Sequence, residues 1–100
     1  MAIPAEIEAV FADEGAAKLA TRVYCVSCVA HRILKFGWEP HINSYGPRML
    51  LLLALHIPIH ARLKILELCY QRALEVADKP VIALMEREFK ITPKEVAHAG

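Results

Sequence analysis

"VYCVSCVAHR" (residues 23–32) is the stretch on which the fold class turns. Val23, Val26 and Val29 are β-branched and favour a strand on propensity alone. A half-buried strand needs apolar residues at every second position, and this stretch has no such alternation. Extended in both directions, it shows Leu19, Val23, Val26, Ala30 and Ile33 at successive spacings of four, three, four and three. Those spacings line one face of an α-helix. A helix is therefore predicted from about residue 16 to 36, stopped by Gly37.

The flanking segments follow the same logic. Pro4 suits the first turn of a helix, and Ile3, Ile7, Val10 and Phe11 form a stripe that ends before Gly15. "GWEPHINSYGP" (37–47) is a loop, bracketed by glycines and holding two prolines. A third helix is expected from Pro47. It meets Pro58, where a lost backbone donor and a steric clash force a restart, giving a separate amphipathic helix over 58–77. "DKPVIALMEREFK" (78–90) supplies a cap at Asp78, Pro80 at the first helical position, and a helix to about Lys90. "TPKE" (92–95) has the form of a capping box, with a short closing helix after it. The expected architecture is all-α: residues 1–100 as a single domain, a small helical bundle of four to five helices with a Pro-broken central helix.

Leaving out the three tyrosines and counting the four glycines, 57 of the 100 residues are apolar, against about 45–50% in ordinary soluble domains. Fifteen of them are alanines, which sit readily on exposed helix faces. The excess, together with the nearly all-apolar run at 49–57, predicts a homo-oligomer or a stable protein partner. The net charge of +1 is unevenly spread: residues 1–15 sum to −4, residues 16–72 to +6 and residues 73–100 to −1. The basic middle suits an acidic partner. It lacks the dense Lys/Arg clusters with interleaved aromatics of nucleic-acid binders, so nucleic acid is not expected. The start of the chain has no basic segment leading an apolar one, and the longest apolar run, "MLLLLAL" (49–55), falls well short of the roughly 18 residues of a membrane span. Three cysteines without framework spacing fit a reducing, cytoplasmic setting.

Chemistry concentrates on the opening stretch. At about 100° per residue, Cys25 and Cys28 project with Lys18, Arg22 and Arg32 rather than with the apolar stripe. Nearby cations favour the thiolate, which is both the nucleophile and the metal ligand. Cys69, beside Ile65, Leu66, Ala73 and Val76, has the pattern of core. His31 lies one turn beyond Cys28, so Cys25, Cys28 and His31 form a candidate metal set, with zinc the metal it would suit. That spacing within one helix is not a usual zinc arrangement, and a fourth ligand would have to come from elsewhere. "HIPIH" (56–60) puts two histidines four apart, but Pro58 interrupts the helix that a shared face requires. His56 is expected as a hydrogen-bonded histidine against the core. A thiol-based redox or metal sensor is thus the alternative to a binding role.

"AHRILKFG" (30–37) resembles the phosphotransfer helix-bundle signature, an exposed His followed by Leu, Lys and Gly, with His31 as the phosphorylated residue and Lys35 neutralising it. The lysine comes one residue late and Gly37 later still, and the likeness covers eight residues. "ITPKEVAHAG" (91–100) is similar to the first helix of a helix-turn-helix reader, but the sequence stops at Gly100 before a recognition helix. There is no nucleotide loop, hydrolase elbow or His-Glu zinc motif, and no cofactor is predicted. Binding is expected over catalysis: a small adaptor or regulatory protein acting through self-association or a protein partner. Its expected contact surface is the basic face of the second helix and the loop after it, with Arg22, Arg32, Lys35, Trp38, His41, Tyr45 and Arg48 as contact residues.

Overall fold

Proline and glycine set most of the helix boundaries in the computed structural model, which describes residues 4–90. Ile3 and the capping box and closing helix predicted from Thr92 lie outside the described residues. Five α-helices are present among the described residues: α1 (Ala5–Glu8), α2 (Ala16–Phe36), α3 (Pro47–Leu55), α4 (Ile59–Val76) and α5 (Lys79–Glu88), with 3-10 turns at Ala9–Phe11 and Pro40–Ser44. No strand occurs among the described residues. The fold is all-α, and the central helix breaks at Pro58 as its chemistry requires.

α2 begins after Gly15 and ends at Gly37, whose φ of 89° takes the chain into a region closed to most side chains. The Gly37 N–H still reaches the Ile33 carbonyl at 2.8 Å. Val26, Val29 and Ala30 are buried, with Leu19 and Ile33 packed beside them. Leu19, Val26, Ala30 and Ile33 of the predicted stripe form the core face, joined by Val29, while Val23 is half-buried outside the core cluster.

α1 is much shorter than the apolar stripe of the N-terminal segment implies. In a continuing α-helix the Val10 carbonyl would accept from the Glu14 N–H. Here Arg48 Nη1 takes that carbonyl at 2.7 Å, and the Glu14 N–H turns to Phe11 O at 3.0 Å. A tertiary donor displaces a local one, and the 3-10 turn that follows α1 does not return to α-helix. Ile7 and Phe11 still reach the core.

α3 lies at the centre. Leu50, Leu51, Leu52, Leu53 and Ala54 are wholly buried, with α2 packed on one side and α4 on the other. A helix that is apolar all round belongs inside a fold, and each buried leucine contributes about 2 kcal/mol by transfer. This corrects one motive for self-association: the apolar run at 49–57 is enclosed by its own chain. α4 completes the core with Ile65, Leu66, Cys69, Tyr70 and Ala73, and α5 with Val81, Leu84 and Met85. Val76, grouped with Cys69 on angular grounds, is exposed instead. The chain has already left the helix next to it, through Ala77 in the left-handed conformation (φ 56°). The Asp78 N–H donates to Ala73 O and the Ala77 N–H to Leu74 O, a Schellman closure built without glycine. Packing runs mainly between chain neighbours: α2 on α3, α3 on α4, α4 on α5.

Candidate protein-interaction site

The candidate contact residues divide into those the fold uses internally and those it leaves outside. Arg22 Nε donates to Glu14 at 2.6 Å. Arg48 reaches Val10 O, Asp13, Glu14 and Asp78, the last at 3.0 Å from Nε. The acids of the N-terminal segment therefore neutralise two bases of the middle one, which accounts for much of the charge separation along the sequence. Arg22 and Arg48 act as internal ties.

The loop after α2 is held in place from within. Arg72, on α4, donates to Tyr45 O at 2.6 Å and Asn43 O at 3.1 Å. Glu39 accepts from both the ring and the backbone N–H of His41, which holds its carboxyl below the usual range. Arg32 stands 3.8 Å from the other Glu39 oxygen. Tyr45 is half-buried and its hydroxyl lies 3.3 Å from Cys25 Sγ. Burial and that contact raise the phenol's pKa. Nothing in the sequence marked Arg72, because its partners are carbonyls far away along the chain.

Cys25, Cys28 and His31 are all exposed, and the two thiols are free. Among the described residues no three His, Cys, Asp or Glu side chains converge as a metal site. The geometry is simple: positions three and six along a helix point progressively away from the first. His56 is half-buried, with Nδ1 2.9 Å from the Leu52 carbonyl, while His60 is exposed, so the two do not form a shared face. His31 and Lys35 are both exposed on α2. Cys69 is buried, its Sγ 3.2 Å from Pro47 O.

What remains outside is an apolar groove between the end of α2 and the beginning of α4, with a volume of about 480 Å³. Ile33, Trp38, Ile57, Ala61, Leu63 and Lys64 are among its lining residues. Gly37 makes it: the positive φ that ends α2 directs the chain to Trp38, which faces the second turn of α4. Lys64 Nζ lies 4.7 Å from the centre of the Trp38 ring, a cation–π contact. Five large apolar side chains at these two helix ends stay in solvent, of which Trp38 and Leu63 line the groove: Leu34 is 59% exposed, Phe36 72%, Trp38 38%, Ile59 80% and Leu63 58%. The depression between the N-terminal segment and α2 is of similar size but walled largely by alanines, with none of those exposed side chains. Of the predicted contact residues, Trp38 lines the groove, while Arg32 and Lys35 are exposed on α2 outside its lining. Ile59 and Leu63 were not singled out from the sequence, where they read as part of an amphipathic helix. No family model, curated protein or solved structure matches the chain.

Proposed function

We propose that this is a small cytoplasmic interaction protein that binds a protein partner through the groove between α2 and α4. One observation carries the proposal: Trp38 and Leu63 line an apolar groove and stay exposed, with exposed Phe36 and Ile59 on the two helix ends that form it. Exposed apolar side chains gathered beside a groove are what a partner's buried anchors require. The internal pinning of the 38–46 loop by Arg72 and Tyr45 supports it, because a preformed surface loses less entropy on binding.

The test is site-specific photo-crosslinking in cells. A photoreactive phenylalanine analogue in place of Leu63 should capture a defined protein band, and the same analogue in place of exposed Glu75 should not. Trp38→Ala should reduce that capture at an unchanged thermal midpoint. Equal capture from both positions, or none, refutes the groove.

A second reading, thiol chemistry at Cys25 and Cys28, is favoured by the exposure of both sulfurs and the Tyr45 hydroxyl beside Cys25. It predicts that Cys25→Ser and Cys28→Ser abolish function while leaving crosslinking from position 63 intact.

A further inference from the structure

Cys25 and Cys28 sit on the solvent side of α2, one turn apart, and both are free thiols. Side chains three apart on a helix point about 60° from each other, so the two sulfurs share a face. They differ in one respect. The Tyr45 hydroxyl stands 3.3 Å from Cys25 Sγ, while Cys28 has no hydrogen-bond partner among the described residues. Tyr45 is fixed from its other side, where its carbonyl accepts from Arg72 Nη1 at 2.6 Å. Burial and the contact with Cys25 raise the phenol's pKa, so the hydroxyl stays a donor. A fixed donor here suits one product in particular. A thiolate that takes an oxygen atom from a peroxide becomes a sulfenate, whose charge such a hydroxyl stabilises.

The backbone between the two cysteines can give. The β-carbons of residues three apart on a helix are about 5–6 Å from each other. A disulfide holds them about 3.5–4.5 Å apart, so bridging must tighten the turn. Residues 23–29 are Val, Tyr, Cys, Val, Ser, Cys and Val, none of them a strong helix former. Ser27 donates its hydroxyl back to the Val23 carbonyl at 2.8 Å, a contact that bends and weakens a helix. Burial of Val26 and Val29, rather than local propensity, keeps this turn helical.

Resting on the thiol reading above and not on the groove, we infer that Cys25 is oxidised by peroxides and that Cys28 resolves it to a reversible disulfide within α2. Ionised Cys25 attacks the outer oxygen of the peroxide. The S–O bond forms, the O–O bond breaks, and the leaving oxygen takes a proton from water. The Cys28 sulfur then attacks the Cys25 sulfur: the S–S bond forms, the S–O bond breaks, and the hydroxyl departs as water with the Cys28 proton. Two electrons pass from the sulfur pair to the peroxide, and a dithiol reductant returns them. Tyr45 makes Cys25 rather than Cys28 the sulfur that takes the oxygen. Cys69, buried against the Pro47 carbonyl, takes no part.

The full chain can be treated with equimolar hydrogen peroxide, with and without dimedone, and each cysteine read by peptide mass spectrometry. Without dimedone, the peptide spanning 25–28 should lose two hydrogens and regain them with dithiothreitol, while the protein stays a single chain on a non-reducing gel. In Cys28→Ser, dimedone should trap a sulfenic acid at Cys25. Tyr45→Phe keeps the ring and should slow oxidation of Cys25 about tenfold, the effect of one hydrogen bond to a charged group. Alkylation of Cys28 in that variant should keep its rate, which separates loss of the donor from a loosened helix. Equal trapping at Cys28 in Cys25→Ser overturns the inference, as does an unchanged oxidation rate in Tyr45→Phe. A disulfide-linked dimer overturns the resolving step in favour of a bridge between two copies. Alkylation of both thiols with no reaction toward peroxide overturns the inference and leaves the thiol reading standing. If neither thiol is alkylated in the native chain, both fall together.

Discussion

Cys69 packs against the start of α3 with its Sγ on the Pro47 carbonyl, and burial pushes its thiol up to about 12. Cys25 and Cys28 stand in solvent on α2. Native-state alkylation followed by peptide mapping should therefore modify Cys25 and Cys28 quickly and Cys69 only on unfolding. Rapid labelling of Cys69 would contradict the packing of α4 on α3. The same burial makes stability depend on alkaline pH. In the unfolded chain the Cys69 thiol ionises near 9, while in the fold it stays protonated to about 12. Tyr70, bonded to Glu86 at 2.6 Å, moves the same way, from 10 to about 12. Above pH 9 the unfolded state thus binds fewer protons than the folded one, and stability falls as pH rises. The contribution is whole below about pH 9 and lost by about pH 12. Urea midpoints should drop over that window, and Cys69→Ala should flatten the drop.

At the level of elements, the end of α4 is closed by an alanine where glycine is the usual choice. Left-handed backbone costs a residue with a Cβ about 1–2 kcal/mol, partly offset by glycine's greater freedom when unfolded. Ala77→Gly should accordingly stabilise the protein by about 0.5–1 kcal/mol in urea denaturation, and an unchanged or lower midpoint would mean that the turn is not strained. The contrast with Gly37 explains what the sequence made legible. Gly37, Pro47, Pro58 and the Asp78–Pro80 pair mark helix limits by local stereochemistry, so those limits could be found without knowing any tertiary contact. Ala77 carries no such mark, and the turn that follows α1 is held by a distant arginine that takes the Val10 carbonyl. The site divides in the same way. Trp38 was conspicuous as an aromatic residue in a loop, and the exposure of Cys25 and Cys28 followed from angles along one helix. Leu63 and Lys64 line a groove with Trp38 only because α4 folds back beside the end of α2. No spacing within either helix encodes that.

Among the described residues, Arg48 is the most connected ion. It joins the turn after Val10, the first turn of α3 and Asp78, which also accepts from the Val81 N–H at the start of α5. Arg48→Met should cost roughly 2 kcal/mol, because it leaves partly buried carboxylates and a carbonyl without their donor. Lys64→Ala, on an exposed side chain, should change stability by less than about 0.5 kcal/mol. Paired urea titrations would check both, and similar losses would show that charge at the surface and charge at the junction count alike. The neighbour-on-neighbour stacking of α2, α3, α4 and α5 has a kinetic consequence. Most native contacts can form once a short connection closes, so little chain entropy is lost before packing rewards it. Refolding by rapid dilution should therefore finish within milliseconds. The chevron should be a simple V, with α3 and its two flanking helices assembling in the rate-limiting step.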